Sequence, residues 1–395
     1  MMDELLTRGV AEIIVESAFR ARLASGRTLR FKQGFDPTKP DMHIGHAVGL
    51  RKLRKFQDLG HQVVLIVGDW TAQIGDPSGR DETRPRLTAE AVRENAERYM
   101  EQFFRVVDRD RTEIRWQSEW YGNFNLEQAL NLAGRFTLAQ MLAHDTFRKR
   151  YEDGGMITIV ELMYPMLQGY DSVVVNPDVE FGGTDQKFNN LAGRELMGQM
   201  GMTPQDVFLV PLIPGTDGRK MSKSFNNTVD ILMPPFEQYS KMLSMSDDVL
   251  PLYFEVLSDV PIAEVAAMRQ AIGDGSANPM AFKMHLAREV VGQFHTPGEA
   301  LVAEAEWVKR FRDRELPSEI AEYAVAGPIG IIDLLMAAGM AASRGEARRL
   351  IGGGGVRVGG ERVESAELSV DPADAPVVQV GRRKFVRLVR HDQAR

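Results

Sequence analysis

Residues 35–50 read FDPTKPDMHIGHAVGL and run into the basic Arg51-Lys52-Leu53-Arg54-Lys55. Asp36-Pro37-Thr38 forms a turn. Pro40-Asp41 is a helix-start pair, since proline fixes φ and aspartate caps free backbone N–H groups. A helix beginning near Met42 places His43 and His46 on one face of its first turn. Gly45 between them has no side chain, so a flat or bulky group can approach the backbone there. Free N–H groups and two imidazoles at a helix N-terminus suit a polyphosphate. The same spacing also fits a surface pair or half of a metal site. Zinc is disfavoured because the chain has no cysteine and no HExxH pattern; no metal ligands are expected.

The flanks of this stretch set the fold class. Residues 28–35 alternate as a strand, and Gly60 is a plausible stop for a helix over 42–59. Residues 62–67, Gln-Val-Val-Leu-Ile-Val, form the continuous apolar run of a strand buried on both faces. Strand, helix, strand implies a right-handed βαβ unit in a parallel sheet, with ligands at the carboxyl ends of the strands. Those ends are 34–38 and 68–76, so the histidine stretch lies at the expected crevice. A helix over 1–27, a helix over 88–107, a strand over 113–117 and largely helical structure over 125–170 complete the expectation for the first half.

Further along, Tyr164, Gln168 and Asp171 fall at i, i+4 and i+7, one stripe of a helix. A tyrosine, an amide and a carboxylate among Leu and Met are unusual for a core. After a strand near 179–181, Gly182-Gly183-Thr184-Asp185-Gln186 is a glycine turn opening another helix. A strand over 207–211 leads to Lys220-Met221-Ser222-Lys223-Ser224, whose lysines and serines can wrap a polyphosphate as movable charges. The loop 70–86 holds Asp76, Arg80 and Arg84 among turn-forming residues. Residues 234–314 read as helical, broken at Pro251, Pro261, Pro279 and Pro297. Residues 330–395 read as a small α+β unit.

Composition narrows the class. A hydrophobic content of 44% and a charged content of 26% describe an ordinary globular protein. No segment reaches transmembrane length, and the N-terminus carries acids through its apolar positions, unlike a signal peptide. Together with the lack of cysteine this points to the cytoplasm and away from a membrane. The net charge of −7 argues against unselective coating of nucleic acid, yet residues 328–395 hold 11 Lys/Arg against 8 Asp/Glu. A mildly basic tail on an acidic body fits an RNA-facing module.

Taken jointly, His43-Ile44-Gly45-His46, Lys220-Met221-Ser222-Lys223-Ser224, Tyr164-x3-Gln168-x2-Asp171 and Gly182-Gly183-Thr184-Asp185-Gln186 resemble the class I aminoacyl-tRNA synthetases. Within that class they are similar to the bacterial tyrosyl-tRNA synthetases. The tail around Ser343-Arg344-Gly345-Glu346-Ala347-Arg348-Arg349 resembles an S4-type RNA-binding module. The resemblance implies an α/β fold: a Rossmann-like catalytic domain over 1–230 with a helical insertion at about 120–170. A helical domain over 231–316, a linker over 317–329 and an S4-like domain over 330–395 would follow.

It further implies activation of L-tyrosine by ATP with Mg²⁺, giving tyrosyl-adenylate and pyrophosphate, then transfer to the 3′ end of tRNA(Tyr). On that reading Thr38, His43, His46, Lys220, Lys223 and Ser224 are catalytic. Asp36, Gly45, His43, His46, Lys223, Arg80 and Arg84 meet ATP. Gly34, Asp76, Tyr164, Gln168, Asp171 and Gln186 meet tyrosine, with Asp171 accepting from its hydroxyl. Arg344, Arg348 and Arg349 would touch tRNA. A homodimer is implied, with residues 129–141 and 157–167 as candidate interface. Two positions depart from the family pattern: Lys32, where many bacterial relatives carry a tyrosine that meets the substrate hydroxyl, and Lys187, where those relatives have tryptophan. Rival readings are a tryptophanyl-tRNA synthetase, an RNA-binding or splicing protein that keeps a synthetase scaffold, and a small nucleotidyltransferase. The substrate stripe, the intact motifs and the S4-like tail speak against them.

Overall fold

In the computed structural model the described residues are 2–78, 87–313, 315–318, 320–381 and 384–391, with the side chain of Lys223 excepted. Arg80 and Arg84 therefore lie outside the described residues. Two compact units are present, Met1–Ala300 and Leu301–Arg395.

The first unit is built on a six-stranded sheet of β1 (Glu12–Ile14), β2 (Arg30–Phe35), β3 (Gln62–Val67), β4 (Thr112–Trp116), β5 (Val179–Gly183) and β6 (Asp206–Val210), ordered β1-β6-β5-β2-β3-β4. All neighbours are parallel except β1, which runs antiparallel to β6. The order reverses beside β2, which is the switch point where open α/β sheets bind ligands. Pairing between β2 and β5 is confined to Phe31↔Val179 and Lys32↔Glu180. Beyond those residues the carboxyl ends diverge, and a crevice opens between them.

Three helices frame the crevice, α1 (Ile44–Asp58), α2 (Ala89–Phe103) and α3 (Ile159–Val175), and α4 (Lys187–Gln199) packs against α3. Side-chain caps set several starts; Thr88 accepts from the Ala91 N–H, and Thr158 from Glu161 in a reciprocal capping box. Gly60 follows α1 at φ 93°, a conformation that glycine adopts without steric cost. The core is aromatic: Phe31 stacks on Phe56 of α1 at 4.5 Å, and Phe181 on Phe208 at 4.5 Å. Burying each ring contributes roughly 1.5–3 kcal/mol, which ties α1 firmly to the centre of the sheet.

The helix expected over 1–27 is instead helix Met2–Thr7, strand β1 and helix Glu16–Ala24. Gly9 at φ 56° and Val15 at φ 61° break the helical path, and Ile13 and Ile14 become a sheet edge against β6. Pro251, Pro261, Pro279 and Pro297 stand at the starts of helices Leu250–Leu257, Ile262–Gly273, Pro279–Phe294 and Pro297–Trp307, where a missing N–H costs nothing.

In the second unit, helices Ile331–Ala337 and Arg344–Gly352 pack Leu334, Leu335, Ala347 and Ile351 against Val356, Val378 and Leu388. The stretch expected to be a linker contains strand Glu322–Val325. Its backbone pairs in parallel with Lys384–Arg390, so this segment is part of a five-stranded sheet. Among the described residues no helix is long and apolar enough to cross a membrane.

Candidate active site

A cavity of about 480 Å³ occupies the crevice at the β2/β5 switch point. It is lined by Gly34, Asp36, Thr38, His43, Gly45, His46, Asp76, Tyr164, Gln168, Asp171, Gln186 and Lys220, residues far apart in sequence.

One end is the N-terminus of α1. His43 is the residue before the helix, and its backbone N–H donates to His46 Nδ1 at 3.2 Å. The same Nδ1 lies 3.3 Å from the His43 carbonyl oxygen, so whether it accepts or donates is set by the ring's tautomer. The two rings lie 4.1 Å apart. Space at Gly45 is fully used: a Cβ there would come within 2.9 Å of His43 Nδ1 and 3.4 Å of Met221 Sδ.

The Lys220–Ser224 loop is held beside this helix start by backbone. Ile44 N–H donates to Val229 at 2.9 Å and Ile231 N–H to Met42 at 3.0 Å, and His43 bridges Asp230. Within the loop, Asn227 is the organiser. It accepts from Ser222 N–H at 2.8 Å and donates to Asp217 at 2.8 Å and to the Lys220 carbonyl at 3.1 Å. Only glycine fits at 215, since a Cβ would sit 2.3 Å from Asn227 Nδ2. Lys220 and Met221 face the cavity, whereas Ser224 is exposed, its Oγ 2.8 Å from Ser222 Oγ, and does not line it.

The other end is acidic. Asp36 accepts from Tyr164 O–H at 2.9 Å and from Thr71 O–H at 2.6 Å. Asp36, expected among the ATP contacts, is thus held on the Tyr164 side. Burial pushes its pKa up to about 7, with the Asp76 charge adding to the shift. Asp76 accepts from Gln186 Nε2 at 2.7 Å and from the Ser78 N–H at 2.8 Å. Gln186 acts through Asp76 in this geometry. Asp171, 2% exposed, accepts from Gln117 Nε2 at 2.8 Å and from Trp120 Nε1 at 3.2 Å. Burial raises its pKa to about 7 as well, against the lowering effect of Lys32. Gln117 and Thr71 were not read as site residues from the sequence. Both follow strand ends, β4 and β3, where the switch-point rule points.

Gln168 is oriented without ambiguity. Its side-chain nitrogen donates to Asn190 Oδ1 at 3.0 Å and to Glu180 Oε1 at 3.3 Å, and a carboxylate can only accept. Its Oε1 is thereby the acceptor offered to a ligand. Lys32 does not stand in the cavity wall. It is fully buried behind that wall, paired with Glu180 Oε1 at 2.8 Å. Lys187, the second departure from the family pattern, lies at the surface with Glu12 at 2.7 Å.

A family model described as tRNA synthetases class I (W and Y) matches residues 24–312, and an S4 domain model matches 332–375. The chain is 49% identical to a tyrosine–tRNA ligase of Dehalococcoides mccartyi over 98% of each chain. The chain belongs to the tyrosine–tRNA ligase family. Identity is 46% to that of Syntrophotalea carbinolica, covering 97% of this chain and 96% of the relative. Among solved structures, a C-terminally truncated mitochondrial tyrosyl-tRNA synthetase of Aspergillus nidulans superposes with TM-score 0.63 at 22% identity, covering 77% of this chain and 92% of that one. Tyrosyl-tRNA synthetase of Archaeoglobus fulgidus complexed with L-tyrosine gives 0.62 at 19%, covering 77% and 99%. Tryptophanyl-tRNA synthetase of Plasmodium falciparum gives 0.60 at 14%, covering 76% and 84%. At those identities the likeness establishes the fold. A full-length match to tyrosine–tRNA ligases sets aside the tryptophan and non-catalytic readings of the family.

In the S4-matching unit, Arg344, Arg348 and Arg349 are exposed on helix Arg344–Gly352, opposite buried Ala347 and Ile351. Arg344 pairs with Asp333 of the preceding helix.

Proposed function

We propose that the chain activates L-tyrosine with Mg·ATP to tyrosyl-adenylate and pyrophosphate, and then transfers the tyrosyl group to the 3′ end of tRNA(Tyr). One observation carries the reading. A single cavity joins a helix N-terminus with two imidazoles and a lysine at one end to the carboxylates of Asp36, Asp76 and Asp171 at the other, the charge arrangement that a zwitterionic amino acid and a polyphosphate require together.

The amino-acid ammonium fits among Asp76, the Gln168 Oε1 and the phenol oxygen of Tyr164, whose proton is committed to Asp36. The ring lies along α3, and its hydroxyl donates to Asp171. ATP places its phosphates at the N-terminus of α1, where His43, His46 and Thr38 meet them and Gly34 lets the nucleotide approach the backbone. Mg²⁺ enters with ATP, ligated mainly by phosphate oxygens and water.

A carboxylate oxygen of tyrosine then attacks the α-phosphorus, and the bond to the β-phosphate oxygen breaks. The nucleophile comes from the substrate, so no protein base is needed and catalysis rests on alignment and charge. Alignment of bound reactants can lower the barrier by roughly 7–11 kcal/mol. His46, Lys220, Lys223 and Ser224 stabilise the negative charge that develops on the α-phosphate and the leaving pyrophosphate, with Arg80 and Arg84 joining them. Ser224 reaches that position by a movement of its loop. In the second step a hydroxyl at the tRNA 3′ end attacks the tyrosyl carbonyl and AMP leaves. The S4-matching unit contributes Arg344, Arg348 and Arg349 to tRNA phosphates.

The homodimer belongs to this reading. Leu126, Leu130, Leu138, Met156 and Ile159 are each more than 60% exposed, an apolar surface on the helical insertion that a second copy would cover. Charging of bacterial tRNA with labelled tyrosine tests the whole proposal. Tyrosine esterified to one tRNA species is expected; charging by tryptophan in its place would overturn it.

A further inference from the structure

We propose that Lys32, paired with Glu180 behind the cavity wall, is a positioning residue that selects tyrosine by holding Gln168 and the turn that carries Asp171. The inference rests on the ligase reading above and adds to it the question of what stands in for a tyrosine at this position.

Lys32 lies on β2 directly opposite Glu180 on β5, the last paired position before the two strands part. Both are buried, at 0% and 1% exposure. An ammonium has three N–H donors, and the three partners of Lys32 Nζ are Glu180 Oε1 at 2.8 Å, Ser172 Oγ at 2.8 Å and the Gln168 carbonyl at 3.2 Å. None of them is the cavity. Glu180 Oε1 also accepts from Gln168 Nε2 at 3.3 Å, and its Oε2 from Ser172 Oγ at 3.3 Å and from Gln205.

Burying an ion pair in this way carries a desolvation cost that only complete hydrogen bonding offsets. Here all three ammonium N–H groups and both carboxylate oxygens are bonded, and the contacts converge on one turn of α3. Gln168 is gripped twice, by its carbonyl from Lys32 and by its amide from Glu180. Ser172, next to Asp171, relays between the same two charges. The segment from 168 to 172 thus cannot rotate, and the two groups that meet the substrate keep one orientation. Gln168 keeps Oε1 as its acceptor. Asp171, whose carboxylate is further fixed by Gln117 and Trp120, meets the hydroxyl alone. A tyrosine at 32 in place of lysine would leave Glu180 buried without its cation, so the lysine and the glutamate act as a pair.

The test is ATP–pyrophosphate exchange with full-length Lys32→Met, Glu180→Gln and the double variant, beside thermal midpoints. The double variant removes both charges and so avoids leaving one buried alone. Expected in each folded variant is a rise of at least about tenfold in the tyrosine KM, the equivalent of one lost hydrogen bond to a charged group. The ATP KM stays within about twofold and tyrosine-over-phenylalanine selectivity falls by a similar tenfold. A double variant that restores the thermal midpoint yet keeps the tyrosine defect supports positioning. Wild-type tyrosine KM and selectivity in that variant would overturn it, leaving a merely structural pair. Equal rises in the tyrosine and ATP KM would overturn it too. If charge removal prevents folding, Ser172→Ala keeps both charges and breaks the relay, with the same criteria. Failure of the wild type to exchange with tyrosine would instead strike the ligase reading itself.

Discussion

Replacing Asp171 by asparagine isolates hydroxyl recognition, because the two side chains have the same shape. In the free protein the carboxylate oxygens accept separately, Oδ2 from Gln117 and Oδ1 from Trp120. An asparagine has one acceptor oxygen, so one of those donors meets an NH₂ group. That mismatch costs about 1–3 kcal/mol of stability. Binding of tyrosine loses a hydrogen bond to a charged acceptor, worth about 1.5–3 kcal/mol. At about 1.4 kcal/mol per factor of ten this is about a 10- to 150-fold fall in kcat/KM for tyrosine. Phenylalanine has no hydroxyl to lose, so its kcat/KM should hold. Exchange kinetics with both amino acids separate the two effects, since the stability cost acts on both alike. A fall of equal size for both amino acids, or no fall for either, would refute the assignment.

Other outcomes follow from the same geometry. Lys223→Ala is expected to lower the activation rate by about 100-fold or more with little change in ATP KM, as for a donor that acts on transition-state charge; pre-steady-state adenylate formation checks this, and a change confined to ATP binding contradicts it. Asp36 and Asp171 each titrate near 7 in the free protein because burial favours their neutral forms. Ionised carboxylates bind an ammonium and a phenol hydroxyl better, so tyrosine KM should fall as pH rises from about 6 to 8. For stability the sign is opposite. Folded pKa values above the unfolded ones mean that the native state holds extra protons between about 4 and 7, so these two groups lose stability as pH rises through that window. A tyrosine KM that is flat with pH, or a contribution to the ligand-free thermal midpoint that rises with pH, would count against this. Combined Arg344→Ala, Arg348→Ala and Arg349→Ala should leave tyrosine-dependent exchange unchanged while raising the tRNA KM in charging and reducing its salt dependence; impaired exchange would show a different role.

Much of the site was legible because its chemistry is local in sequence. Pro40 and Asp41 announce a helix start within two residues of the observed Ile44, and β3 is visible as an unbroken apolar run. The stripe of Tyr164, Gln168 and Asp171 survives as one face of α3. What escaped depends on partners distant in the chain. Ile13 and Ile14 look helical within 1–27 and become a strand only because β6, some way beyond position 200, offers an edge. Lys32 seemed a gap in hydroxyl recognition; its partner Glu180 lies on a strand that no local pattern pairs with it. Tyr164 reads as a ligand for the substrate, yet its proton is given to Asp36, a contact that only the folded sheet creates. Gln117 sits at the end of β4 and was open to inference from the rule that placed the crevice.

The most direct test of the central claim is ATP–pyrophosphate exchange without tRNA, with tyrosine, tryptophan and phenylalanine supplied in turn. Exchange with tyrosine alone is the expected result, establishing activation and selectivity together. Exchange with tryptophan, or with none of the three, would contradict the assignment of the cavity.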